Sequence, residues 1–256
     1  MIALEKKAAL VIGHPGHELR VFHWLEITKP TVFVITDGSG RSGQTRLPST
    51  ARILDSVGGR QGSFYGRLTD SEAYLAILNH DFDLFVGLAR ELAEFLADEQ
   101  IDYVVGDALE GYNPTHDVCR LVTNTGIAMA KRFAGRDLEN FDFPLTGPPA
   151  ACPDSRADTC ISLRLDNEAF ARKMAAARSY TELDSEVDAA ISQNRIEAFR
   201  VECLRPVNKG EIYFGGNVTP YYEQYGENQV AAGHYRHVIR YRDQFLPLAE
   251  ALRQQV

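Results

Sequence analysis

Hydrophobic positions along this chain fall into two rhythms. Residues 7–13 (KAALVIG) and 31–36 (TVFVIT) are short apolar runs, the pattern of parallel strands buried on both faces. Residues 101–106 (IDYVVG) read the same way. The helical rhythm is clearest over residues 82–98 (FDLFVGLARELAEFLAD), where Phe85, Leu88, Leu92, Phe95 and Leu96 share one side. A helix is also expected after Pro15 (GHELRVFHWLEI) and another over residues 117–133. After the second strand comes a glycine-dotted loop, DGSGRSG, and then a polar stretch to about residue 66. Strands alternating with helices predict an α/β fold with a doubly wound, mostly parallel sheet of Rossmann-like type.

Farther on, residues 142–158 are rich in proline and glycine and predict a surface loop. Residues 161–165 predict a strand, 168–179 a helix and 197–204 a late strand. The tail is rich in tyrosine (Tyr221, Tyr222, Tyr225, Tyr235, Tyr241) and ends in a predicted helix.

Composition narrows the function classes. A formal net charge of -8 argues against nucleic acid as a partner, because phosphate binding needs a basic face. No apolar stretch is long enough for an integral membrane segment, and the N-terminus lacks the apolar core of a secretory signal. Cys119, Cys152, Cys160 and Cys203 show no CxxC spacing, so reduced thiols in a cytoplasmic protein are expected.

The candidate chemistry lies at strand ends. His14 and His17, in GHPGHE, follow the first strand, and His116 follows the third at the start of a helix. In open α/β sheets ligands sit beyond the carboxyl ends of the strands, so these imidazoles are expected to meet there. Three neutral imidazoles plus water suit a catalytic zinc ion, Zn being the expected cofactor. The plainer reading is a helix cap and surface histidines. His234 and His237 also have ligand-like spacing, without an evident third partner.

With those motifs in view, the chain resembles the LmbE/PIG-L family of zinc-dependent N-deacetylases of amino sugars. The resemblance rests on His14-Pro15-Gly16-His17-Glu18, on Asn113-Pro114-Thr115-His116, and on their order along the chain. It implies an LmbE-type α/β domain over residues 1–205, with a Tyr-rich C-terminal extension, residues 206–256, packed on it. The implied metal ligands are His14, His17 and His116. The implied activity is hydrolysis of an N-acetyl group on an amino sugar or sugar conjugate in polysaccharide synthesis, with a small-molecule or glycan substrate and homo-oligomerisation left open.

Departures from the family pattern matter. The family's general base falls on Gly16, which has no side chain, and its oxyanion-stabilising histidine falls on Asn113. Asp37, after the second strand, is the first candidate for proton relay, with Glu110 and Asp107 behind it; each reads equally well as a turn or loop acid. Tyr112 is a candidate oxyanion donor. Arg52 and Glu110 are candidate substrate contacts. Glu18 is expected to hold backbone amides.

Two rival readings remain. Gly38-Ser39-Gly40-Arg41-Ser42-Gly43 is a formal GxGxxG after a strand. However, no acidic residue lies between Ser56 and Thr69, where a dinucleotide-binding enzyme would place one. The other rival is a non-hydrolytic, metal-containing glycan or nucleotide-sugar binding protein with a degenerate active site.

Overall fold

The computed structural model describes residues 4–40, 42–151, 159–207 and 219–256. Its seven-stranded sheet has the order β3-β2-β1-β4-β5-β7-β6. The strands are β1 (Ala8–Ile12), β2 (Thr31–Thr36), β3 (Arg60–Leu68), β4 (Tyr103–Asp107), β5 (Glu139–Phe143), β6 (Ile161–Arg164) and β7 (Val201–Pro206). The first five run parallel; β7 is antiparallel to β5 and to β6. The α/β class and the mostly parallel sheet are as the sequence predicts.

Alternation along β1 shows why helices cover both faces. Ala9 and Val11 join Phe33 and Ile35 in one core, which also holds Phe85, Leu88, Leu92 and Leu96 of α4 (Phe82–Asp98) and Val118 and Val122 of α5 (Pro114–Ala134). Ala8, Leu10 and Ile12 face the opposite way, against Trp24 and Leu25 of α1 (Phe22–Thr28) and Ile53 and Leu54 of α2 (Leu47–Val57). With period two in a strand, each apolar residue serves one layer or the other.

The apolar pattern does not mark β3, an edge strand in the polar stretch whose residues are mostly exposed or half-buried. Its register against β2 is irregular, and a Cβ at Gly62 would lie 2.4 Å from the Phe33 ring, so glycine there permits close approach. After it comes α3 (Asp70–Leu78), opened by a capping box in which Thr69 and Glu72 hold each other's backbone N–H. Thr69→Ala should cost about 1 kcal/mol of stability, read as a lower urea midpoint at unchanged slope.

Beyond β6 run α6 (Asn167–Arg178) and α7 (Asp184–Asn194). The C-terminal segment forms α8 (Tyr221–Ala231) and α9 (Leu246–Arg253), and Phe245, Leu248, Ala249 and Leu252 enter the same core as α4 and α5. Among the described residues, no helix is long and apolar enough to cross a membrane. Cys119 and Cys203 are free, whereas Cys160 is disulfide-bonded; Cys152 and Arg41 lie outside the described residues. The bond at Cys160 corrects the expectation of reduced thiols throughout.

Candidate metal centre

The carboxyl ends of β1, β2 and β4 converge on one edge, and each contributes to a cluster of imidazoles. His14 lies two residues past β1, His17 opens the short 3-10 turn His17–Val21, and His116 is in the first turn of α5. Their ring centroids are 5.4 Å (His14–His17), 4.9 Å (His14–His116) and 4.5 Å (His17–His116) apart. Three imidazoles on one tetrahedral cation at a Zn–N distance of about 2.1 Å would have centroids about 5 Å apart. Two ring nitrogens, His14 Nε2 and His116 Nδ1, are buried with no hydrogen-bond partner. Buried polar atoms are normally satisfied, so a pair of orphans in one cluster calls for a ligand.

Among the described residues, however, no set of three His, Cys, Asp or Glu side chains already has the donor geometry of a metal site. The rings stand at coordination spacing. Turning an imidazole about χ2 moves its nitrogens and leaves its centroid almost in place. The residues therefore fit a divalent cation in type, spacing and unsatisfied atoms.

Neighbouring groups fix the tautomer of His14. Its Nδ1 lies 2.7 Å from Thr36 Oγ1 and 2.9 Å from Asp70 Oδ1. The Thr36 hydroxyl donates its one proton to the Gly13 carbonyl, 3.0 Å away. Both neighbours of Nδ1 are thus acceptors, Nδ1 carries the proton, and Nε2 keeps its lone pair for a ligand. Burial pushes the Asp70 carboxyl up, but the hydrogen bonds it accepts from His14 and the Gly40 N–H hold it well below the usual carboxylate range.

His17 Nδ1 lies 2.9 Å from Asp107 Oδ2, which also accepts the Gly13 N–H at 2.7 Å. Burial, followed by the charges of His14, Arg20 and Arg46, lowers the His17 pKa; burial and the other two imidazoles lower that of His116. Both effects favour the neutral, ligating form. Burial raises Asp107 to about 7 and Glu18 to about 7. Glu18 accepts from the Gly16 N–H at 2.7 Å and the Thr50 hydroxyl at 2.8 Å, holding the loop between the two histidines.

The cluster opens into a cavity of about 1730 Å³. Asn113 lines it and caps α5, its Oδ1 accepting the Thr115 N–H at 2.8 Å. Tyr112 is 50% exposed on the rim, stacked on Tyr221 at 5.2 Å and 6.5 Å from the His116 ring. Three other sequence candidates do not line the cavity. Asp37 accepts the Ser39 N–H in an Asx turn at 2.9 Å, the turn role rather than the relay position. Glu110 holds the Thr146 N–H, and Arg52 donates to Ser49. The glycines of the GxGxxG do not open a helix, since α2 begins at Leu47.

Sequence reasoning missed Asp70 and Arg46, both of which line the cavity. An ideal Cβ at Gly40 would lie 3.7 Å from the Arg46 guanidinium and 3.8 Å from Asp70 Oδ2, so the two side chains flank one glycine. The capping signature TDSE was the available signal for Asp70; Arg46 lay in the polar stretch after the glycine-dotted loop.

No family model and no curated protein sequence matches the chain. Solved structures do. The zinc-inhibited form of teicoplanin deacetylase Orf2 is similar at 13% identity and TM-score 0.56, covering 80% of this chain and 100% of that one. The A40926 pseudoaglycone deacetylase Dbv21 is similar at 17% identity and TM-score 0.51, covering 79% and 97%. The conserved protein TT1542 from Thermus thermophilus is similar at 15% identity and TM-score 0.52, covering 83% and 99%. The chain therefore shares the fold of these three structures, two of which are deacetylases.

Proposed function

We propose that this chain is a metal-dependent amide hydrolase, an N-deacetylase of an N-acetylated amino sugar or sugar conjugate. The observation that carries the reading is the imidazole trio, spaced for one cation at the strand edge of a deacetylase-like fold. His14, His17 and His116 would hold the ion, with zinc the expected metal. When bound, such a cation supplies Lewis acidity that polarises an acyl oxygen and acidifies water.

The remaining work falls to side chains of the cavity. Asn113 has its Oδ1 committed to the helix cap, which leaves its amide NH2 to donate to a developing oxyanion. Tyr112 on the rim offers a hydroxyl and, with Tyr221, a flat face for a sugar ring. Arg46 is the cation placed to grip an anionic or hydroxyl-rich part of the substrate. Arg46→Ala should raise KM about tenfold with kcat little changed, whereas Arg52→Ala should leave both alone. Equal effects of the two substitutions on KM would remove Arg46 from the site.

One observation favours the non-hydrolytic binder as a second reading. A Cβ at Gly16, where φ is +106°, would lie 2.3 Å from Leu183 Cδ1, so a leucine fills the space a carboxylate would need beside the histidines. Of the acidic side chains lining the cavity among the described residues, only Asp70 contacts an imidazole of the cluster, and its low pKa makes it a weak base. Acetate release from N-acetylglucosamine conjugates by zinc-loaded protein, abolished by chelation, supports the hydrolase. Saturable sugar binding without acetate release supports the binder.

A further inference from the structure

A trio of neutral imidazoles around a dication leaves two positive charges in a largely buried pocket. Burying uncompensated charge is costly, so the surroundings of the rings should supply anions. They do so unevenly. His14 has Asp70 behind its Nδ1 and His17 has Asp107, whereas no carboxylate is hydrogen-bonded to the buried Nδ1 of His116.

Asp107 is the more constrained of the two carboxylates. It is the last residue of β4, fully buried, and a single oxygen, Oδ2, accepts from both the Gly13 N–H and His17 Nδ1. That oxygen therefore ties the end of β1 to the imidazole four residues later. An ideal Cβ at Gly13 would sit 3.1 Å from Oδ2, so glycine there keeps the approach open. A carboxylate oxygen that already accepts one N–H faces His17 as an acceptor, which places the proton on Nδ1 and the lone pair on Nε2.

We propose that Asp107 is a positioning residue for cation binding: it locks His17 in the Nδ1–H tautomer, aims Nε2 at the cluster and, once the cation is bound and favours its ionised form, supplies one of the two negative charges that a three-imidazole site lacks. The inference rests on the metal reading above, but its first readout needs neither metal nor substrate. Carboxylates that orient ligating histidines typically contribute about 10–100-fold to metal affinity.

Two substitutions separate charge from orientation. In Asp107→Asn the amide oxygen can keep both acceptor contacts while the charge is gone. In Asp107→Ala the acceptor is gone as well. Nitrogen-15 NMR of the metal-free protein reads the His17 tautomer directly. The expected result is Nδ1–H in the wild type and in Asp107→Asn, and a tautomer mixture in Asp107→Ala. Zinc affinity, measured by competition with a chromogenic chelator, should fall about tenfold in Asp107→Asn and about 100-fold in Asp107→Ala. Circular dichroism confirms that each variant is folded, and affinity is referred to the folded fraction.

An Nε2–H tautomer in the wild type would overturn the proposal, as would unchanged zinc affinity in both folded variants. Should Asp107→Ala fail to fold, the Asp107→Asn affinity decides alone. The functional reading fails separately: zinc bound as described, with no acetate release, leaves the role of Asp107 standing.

Discussion

Lys173→Met should destabilise the protein by about 3–5 kcal/mol, a large share of a typical domain's stability. Lys173 Nζ and Glu202 Oε1 are 2.8 Å apart, with side chains 4% and 0% exposed. Glu202 also accepts the backbone N–H groups of His23 and Trp24 at 2.8 and 2.9 Å, so its carboxylate caps the first turn of α1 from β7. Lys173 additionally donates to the Arg20 carbonyl at 3.0 Å. Removing the ammonium leaves a buried carboxylate held only by amides and strips a donor from the turn that carries His17. Urea unfolding of the metal-free protein should show the loss. A double variant, Lys173→Met with Glu202→Gln, should recover part of it, because the stranded charge is gone. A single variant within about 1 kcal/mol of wild type, the size of one ordinary hydrogen bond, would mean the pair is not buried as described.

On the hydrolase reading proposed above, Gly16→Asp combined with Leu183→Ala should raise the deacetylation rate about 100-fold, the lower end of what a positioned general base contributes. The obstacle is steric before it is chemical. A Cβ at position 16 meets Leu183 Cδ1, the end of a flexible side chain, and the next neighbour is Leu183 Cγ at 3.6 Å. Trimming the leucine makes room, and the positive φ costs a further ~1–2 kcal/mol in stability. Gly16→Asp alone should gain less than the pair, since the carboxylate must first displace the leucine. Leu183→Ala alone should gain nothing. If the double variant, folded and zinc-loaded, releases acetate no faster than wild type, the vacant base position is not what limits turnover.

What could be read from the sequence follows burial. The strands buried on both faces, β1, β2 and β4, are continuous apolar runs, and α4 carries an unbroken apolar stripe; all four are legible from pattern. The edge strand β3 has a polar sequence because much of it meets solvent, so no apolar rhythm marks it. The imidazoles were legible for a related reason: they sit at strand ends, and strand ends are set by the pattern. Asp70 and Arg46 follow from knowing that residues 60–68 form a strand, because only then does the chain return to the same edge. Asp37 lies at the same edge, and its Oδ1 accepts the Ser39 N–H, a local contact that position in the fold does not reveal.

The placement of the functional groups has a common anchor. Gly13 donates its N–H to Asp107 and accepts the Thr36 hydroxyl at its carbonyl, and those two partners hold His17 and His14. One residue at the end of β1 thus couples β2 and β4 to both imidazoles.

Zinc titration of metal-stripped protein, followed by isothermal calorimetry with His116→Ala alongside, tests the central claim most directly. The account predicts saturation at one ion per chain and an affinity on the order of 100–1000-fold weaker in the variant, the share of one ligand in a typical site. Absence of saturable uptake by the wild type, or equal affinity in His116→Ala, would contradict it.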